Sequence, residues 1–438
     1  MDFPALRFGD LVARIPVIQG GMGVGISLSG LASAVAEEGG IGVIAAAMIG
    51  FREKDAAKNG PAANARALVR EIRTARAKTS GVLGVNIMVA LSDFAELVRT
   101  AIREKIDVIF SGAGLPLDLP SYLTEGAKTK LVPIVSSGRA ASILCRKWIS
   151  RYGYLPDGFV VEGPLAGGHL GFKADELDKP ENRLETLVAE VIEAVKPHEE
   201  RMGRRVPVIA AGGVYTGGDI CRFLEMGASG VQMGTRFVTT HECDANIAFK
   251  EAFINAKKED IVILKSPVGM PGRAVGNDFL REAERGERHP KSCPYHCLRS
   301  CAQTESPFCI AMALSNAQQG LLKNGFAFAG FNAWRTEKIV SVRELVGSLR
   351  EEFDYACERA GEGLERAYAR AGERFERVRE RAQEGLERAR ERAQEGFDRA
   401  RERAQESFDR ACERAGEGLE RASEKLAGLV TPPATNER

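Results

Sequence analysis

The sequence predicts an α/β fold: a TIM (β/α)8 barrel, followed by a cysteine-containing cap segment and a long C-terminal helix of 11-residue repeats. Three observations predict the barrel. Eight short apolar runs alternate with amphipathic segments up to Ala256, and eight strand–helix units are the number that closes such a barrel. The runs are continuously apolar, as when both faces of a parallel strand are buried. Glycine-rich turns follow the seventh and eighth runs, where barrels of this kind often hold phosphate. A doubly wound open sheet is the competing architecture.

The expected strands are Pro16–Gln19, Gly42–Ala45, Val82–Ile87, Asp107–Phe110, Val132–Val135, Gly158–Val161, Pro207–Ala210 and Gly230–Met233. The amphipathic segments between and after them are Leu31–Glu38, Ala65–Thr79, Phe94–Glu104, Ala140–Tyr152, Leu184–Val195, Asp219–Met226 and Ala245–Ala256. From Ser266 the pattern becomes loop-like. The expected divisions are a barrel over 1–275, a cysteine-rich cap over 276–346, a helical tail over 347–430 and a disordered end over 431–438, where Thr431-Pro432-Pro433 breaks helix.

A net charge of +1 excludes any global electrostatic case for nucleic-acid binding. No apolar stretch is long enough to span a bilayer and the first residues lack a signal-peptide pattern, so the expected location is the cytoplasm. In that compartment Cys145, Cys221, Cys243, Cys357 and Cys412 are expected as reduced thiols.

Chemistry is expected on the loop after the sixth strand, Glu162-Gly163-Pro164-Leu165-Ala166-Gly167-Gly168-His169-Leu170-Gly171. It puts one histidine at the C-terminal end of a barrel strand, where catalytic groups collect. Imidazole titrates in the range useful for moving a proton. The bland alternative is a histidine bonded within its own loop. Ala210–Val214 and Gly230–Arg236 form a candidate phosphate clamp, with the helix start near Gly217 adding its dipole. The first strand ends in Gln19-Gly20-Gly21-Met22-Gly23-Val24-Gly25, which lacks a G-x-G-x-x-G frame and reads as close backbone approach to a flat ring rather than a Rossmann site. Asn86 ends the third strand, where its amide can meet a ring edge or serve a turn.

Together, Pro16–Gly25, Asn86, Gly167-Gly168-His169-x-Gly171, Gly212-Gly213 and Met233-Gly234-Thr235 resemble the nitronate monooxygenase (2-nitropropane dioxygenase) family and its relative, the FabK-type flavin enoyl-ACP reductases. The resemblance covers roughly residues 8 to 273. It implies non-covalent FMN. Gly212, Gly213, Gly234 and Thr235 then bind the phosphate, Gly21, Met22 and Asn86 touch the ring, Gln19 lies nearby, Gly23, Gly168 and Met233 complete the cofactor-binding set, and His169 is the active-site histidine. Inosine monophosphate dehydrogenase shares this type of clamp but requires a nucleophilic cysteine on the loop after strand six, and Gly163–Gly171 has none.

Cys293, Cys297, Cys301 and Cys309 lie outside the usual family pattern. Spacing of four on a helix puts the first three on one face. Three thiolates plus a fourth beyond Ser306-Pro307-Phe308 suit an iron–sulfur cluster, [4Fe–4S], with zinc or free thiols as alternatives. A cluster implies an external electron donor, ferredoxin or NAD(P)H.

The tail repeats as Ala360–Arg370, Ala371–Arg381, Ala382–Arg392, Ala393–Arg403, Ala404–Arg414 and Ala415–Lys425, eleven residues each. Alanine, a leucine or phenylalanine and a second small residue fall in a stripe about 60° wide on a helix. Three readings compete: a solvated helix held by ion pairs, a helix–helix seam giving a homo-oligomer, and a lipid or granule surface. The functional expectation is an FMN-dependent oxidoreductase that oxidises a small nitronate-like carbanion with His169 as base or anion stabiliser. The alternatives are a FabK-type enoyl-thioester reductase and a structural or tethering protein that works through its tail.

Overall fold

The computed structural model describes residues 3–299 and 301–427; for 360–369, 371, 426 and 427 it describes the backbone only. Eight parallel strands form one sheet: β1 (Val17–Gln19), β2 (Gly42–Ala45), β3 (Leu83–Met88), β4 (Val108–Gly112), β5 (Lys130–Val135), β6 (Phe159–Glu162), β7 (Val208–Ala211) and β8 (Gly230–Met233). Their order runs β1-β8-β7-β6-β5-β4-β3-β2. The ring closes between β1 and the approach to β2 through an Ile18–Ile41 bridge, where the Gln19 and Ile41 amides donate to Ile41 and Val17 carbonyls at 3.0 Å each. All eight expected strands are present.

Seven of the eight strands are followed by α-helix: α1 (Ser29–Glu37), α2 (Gly60–Lys78), α3 (Phe94–Arg103), α4 (Gly138–Tyr152), α5 (Leu184–Met202), α6 (Gly217–Glu225), and after β8 the pair α7 (Thr235–Val238) and α8 (Ile247–Ile254). After β4 the crossover is only a 3-10 turn, Leu119–Tyr122. Pro116 and Pro120 explain it, since each removes an amide donor that a helix needs.

Alternation along the strands fills two layers. Val160 faces the barrel interior with Val108, Phe110, Val132 and Ile209, while its neighbours Phe159 and Val161 face the helices. A hairpin of Leu6–Phe8 and Leu11–Ala13 plugs the N-terminal end. Gly158, at the entry to β6, must be glycine there, because a Cβ would lie 2.5 Å from the Phe8 ring. The C-terminal end of the barrel is left for the cap.

The cap is built on a hairpin, Ile261–Lys265 with Pro271–Val275. A short strand, Gly168–His169, pairs antiparallel with its second arm, His169 opposite Gly272. The loop carrying His169 is thus ordered as part of a sheet. Phe279, Phe308, Phe326 and Phe328 stack edge-on and face-on beneath it, between α9 (Asp278–Glu284) and α10 (Ile310–Gln318). The cysteine-bearing stretch between these helices is irregular, so the expected helical face of Cys293, Cys297 and Cys301 does not form. Pro290 and Pro294 interrupt helix there, and His296 takes a left-handed φ of 43°.

The last helix, α11, runs from Val342 to Ala427. By contacts the chain divides into Met1–Arg359 and Ala360–Arg438. The cap and the first turns of α11 belong to the first unit, with Leu349 and Phe353 buried. Glu352 accepts the Gly217 amide at 2.7 Å. Cys357 is disulfide-bonded to Cys221 on α6, with Cα atoms 6.0 Å apart. This corrects the expectation of reduced thiols at both positions: α11 packs along α6 and brings together two cysteines separated by 136 residues.

In the second unit the side chains that are described are exposed, including Phe375, Leu386, Phe397, Phe408 and Leu419. An i,i+4 ion pair recurs once in each of the five repeats from 371 to 425: Glu373–Arg377, Glu384–Arg388, Glu395–Arg399, Glu406–Arg410 and Glu417–Arg421. Residues 431–438 lie outside the described residues. No described helix is long and apolar enough to cross a membrane.

Candidate active site

A cavity of about 280 Å³ opens at the C-terminal end of the barrel. Its wall takes Met22 and Gly23 from the loop after β1, Asn86 from β3, Gly168 and His169 from the cap strand, Gly212 and Gly213 after β7, and Met233, Gly234 and Thr235 after β8. Ten of the residues the sequence singled out for cofactor or catalysis therefore share one cavity. Gln19 and Gly21 do not line it. The Gln19 amide is buried and bonded to the Val43 backbone, amide to Oε1 at 3.0 Å and Nε2 to carbonyl at 3.3 Å. It ties β1 to β2 at the barrel seam. Gly21 makes room for Asn86, whose Cβ would lie 2.3 Å from any Cβ placed there.

Gly212 and Gly213 have φ of 88° and 103°, a region that strains any L side chain. A Cβ on Gly212 would fall 2.8 Å from the Gly163 carbonyl, and one on Gly213 3.0 Å from Leu165. Bare backbone is what this corner requires. Thr235 opens α7 and its hydroxyl accepts the Gly330 amide at 3.2 Å, which fastens a returning cap segment over the clamp. The start of α6 is absent from the cavity wall. Its N-terminus is capped by Thr216 and Asp219, and Gly217 donates to Glu352. The dipole expected from Gly217 is thus satisfied by α11 and by its own cap.

His169 Nε2 lies 2.7 Å from Ser266 Oγ, and Phe328 meets the imidazole edge-on at 5.0 Å between centroids. Burial pushes its pKa down to about 4, so the ring is neutral at ordinary pH and able to accept a proton. Glu162, at the end of β6, lines the same cavity, and burial raises its carboxyl to about 7. The cavity thus holds a base and a carboxyl group whose environments push their pKa values in opposite directions, as acid–base sites do.

Sequence reasoning overlooked Glu162, Ser266, Arg273 and Phe328. The Arg273 guanidinium, itself buried, donates to the carbonyls of Pro164 and of Ala166, the latter at 2.8 Å, and holds the loop between β6 and His169. Only Glu162 left a legible signal: a carboxylate closing an apolar strand beside the histidine loop.

Cys297 and Cys309 pack with Tyr295 and Phe51 against Val24, Met48 and Ala311. Burial, then the neighbouring sulfurs, push the Cys297 thiol up to about 12.

A model of the nitronate monooxygenase family matches residues 8–352. A dehydrogenase of a hydroxy-methyl-oxo-octahydroindene carboxyl-CoA from Mycobacterium tuberculosis is 31% identical over 273 residues, 62% of this chain and 66% of that protein, just under two thirds of its length. A probable nitronate monooxygenase from Staphylococcus aureus is 27% identical over 63% of this chain and 79% of its own. Among solved structures, FabK from Thermotoga maritima superposes with a TM-score of 0.61 at 28% identity, covering 80% of this chain and 95% of that one. A nitroalkane oxidase from Streptomyces ansochromogenes shares the fold with a TM-score of 0.60 at 22% identity, over 78% and 97% of the two chains.

Proposed function

The chain belongs to the nitronate monooxygenase family, and on that premise we propose that it is an FMN-dependent oxidoreductase acting on a small carbon acid such as a nitroalkane or its nitronate. The observation that carries the reading is a neutral, half-buried His169 on the wall of a cavity that also takes the bare glycine backbone of Gly212 and Gly213.

The residues fit the cofactor. Gly212, Gly213, Gly234 and Thr235 offer backbone and a hydroxyl to a phosphate with no acidic side chain among them, and a Cβ at Gly213 would crowd that cradle. Met22, Gly23 and Asn86 supply an apolar face and one amide for the ring. Bound FMN would supply the two-electron redox step. His169 accepts the proton from the substrate carbon, or stabilises the anion once formed. Ser266 and Phe328 hold its ring in place. Glu162, protonated below about pH 7, is the hydrogen-bond donor available to developing negative charge. The cap sheet excludes water from the proton transfer.

A second reading has specific support: enoyl-thioester reduction, from the overlap with FabK over 95% of that chain and from the CoA-thioester name of a relative. Steady-state turnover separates the two. Nitronate-dependent oxygen uptake without pyridine nucleotide supports the first, and NAD(P)H-dependent reduction of an enoyl thioester supports the second. Purified protein without bound flavin, absorbing at about 370 and 450 nm, refutes both.

A further inference from the structure

We propose that the repeat helix is a peripheral membrane-binding arm, lying along an anionic lipid surface with its row of large apolar side chains at headgroup depth. The row is Phe375, Leu386, Phe397, Phe408 and Leu419, one per eleven-residue unit, and each is at least 65% exposed. Val378 beside it is 66% exposed. Eleven residues make three helical turns with a drift of only about 20°, so the row stays on one side of the helix. Its members stand about 16 Å apart along the axis. An apolar row of that regularity, left wholly to solvent, is a surface made to be covered.

The charges around the row say what covers it. Counted from the alanine that opens each unit, the 15 acidic side chains of residues 372–425 all fall at the third, sixth and tenth positions. These lie about 130° or more from the centre of the stripe. The basic positions nearest the stripe are the ninth, about 70° away on one side, and the eleventh, about 90° away on the other. Arg379, Arg390 and Arg401 take the ninth in three successive units, and an arginine or lysine takes the eleventh in all five. The row is thus edged by cations on both sides and backed by anions. The i,i+4 ion pairs engage the arginines at the seventh position, farther from the stripe. Among the described residues Arg390, Arg392, Arg401 and Arg403 make no ion pair.

This layout decides between occupants. A second copy of the helix laid stripe to stripe brings cation against cation: ninth position against eleventh when parallel, each against itself when antiparallel. Like charges along both edges of such a seam repel. An anionic bilayer is complementary. The apolar row enters the boundary between headgroups and acyl chains, the flanking arginines reach the phosphates with their stems on the apolar side, and the carboxylates face water. With 15 acidic and 14 basic side chains over residues 372–425, placement rather than net charge makes the match. One large apolar residue per unit gives an arm that lies on a membrane, and no described helix is apolar enough to cross one.

The test is co-sedimentation of the full chain with phosphatidylglycerol vesicles and with phosphatidylcholine vesicles. Binding to the first is expected, stronger than to the second by about tenfold or more and weakened by salt. The Phe397→Glu, Phe408→Glu double variant should not bind. If circular dichroism shows that this variant has lost helix, removal of the chain after Arg359 takes its place and should also abolish binding. Arg379→Gln, Arg390→Gln and Arg401→Gln together should weaken binding by about tenfold or more. Glu380→Gln, Glu391→Gln and Glu402→Gln, on the far side of the same units, should not weaken it. No binding, or equal binding to the two kinds of vesicle, overturns the proposal. So does a dimeric mass without lipid that falls to one chain when the residues after Arg359 are removed, since a second copy then covers the row.

Discussion

The barrel and the tail are both built by repetition, and they put their apolar residues to opposite use. In the barrel, eight strand–helix units close on each other, and residues such as Phe110, Phe159 and Trp148 lose all exposure. In the tail, the repeat unit leaves Phe397 74% exposed and Phe375 70% exposed. What recurs there is the ion pair from the third position to the seventh, at 3.0 to 3.9 Å. Such exposed pairs contribute about 0.3–0.5 kcal/mol each on a helix, against about 2–3 kcal/mol for fully burying one large apolar side chain. A periodic sequence, then, is no measure of how much a segment is stabilised by tertiary packing.

Substitutions break that comparison in graded steps. The largest effect is on turnover: His169→Ala is expected to lower kcat by about 10²–10⁴ without loss of bound flavin, measured by steady-state assay with the absorption spectrum as control. An unchanged kcat would remove His169 from the chemistry. Next comes Trp148→Ala, which empties a fully buried site and breaks the Nε1–Pro116 hydrogen bond of 3.0 Å. Urea unfolding should show a loss of about 3–5 kcal/mol. The same truncation at Phe397 should change stability by less than about 0.5 kcal/mol. A loss comparable to that at Trp148 would mean that another chain or a surface covers the stripe.

The cavity gives a pH-dependent version of the contrast. The folded pKa of Glu162, about 7, lies above its ordinary 4.5, so its contribution to stability is intact below pH 4.5 and is lost as pH rises to about 7. The folded pKa of His169, about 4, lies below its ordinary 6.5, so its contribution is intact above pH 6.5 and is lost as pH falls to about 4. Glu162→Gln should therefore be more stable than the parent at pH 8, by up to about 3 kcal/mol, and no more stable at pH 4. Thermal unfolding across that range checks it, and a pH-independent difference would refute the assignment. Smallest of all is removal of the chain after Arg359. It should leave the melting temperature of the first unit within about 2 °C, and the measured mass then shows whether the repeats assemble subunits.

What was legible in the chain follows the range of the interactions. The barrel strands were legible because each is a local apolar run. His169 and the Gly212-Gly213 corner were legible because glycines mark close approach at the site itself. Ser266 reaches His169 across 97 positions, and Glu352 reaches Gly217 across 135. Neither pairing leaves a trace in local spacing. The cysteines failed in both directions for one reason: their neighbours are set by packing. A regular spacing suggested a helix that Pro290 and Pro294 prevent, and two cysteines that looked isolated meet where α6 and α11 run side by side.

The strand that carries His169 belongs to the cap sheet rather than to the barrel. Pairing of Gly168 and His169 with Gly272 and Arg273, together with the Arg273 grip on the preceding loop, makes cap hairpin and imidazole one piece. Where the hairpin sits therefore decides where the imidazole sits, and a change in the cap reaches His169 as directly as a change in the barrel.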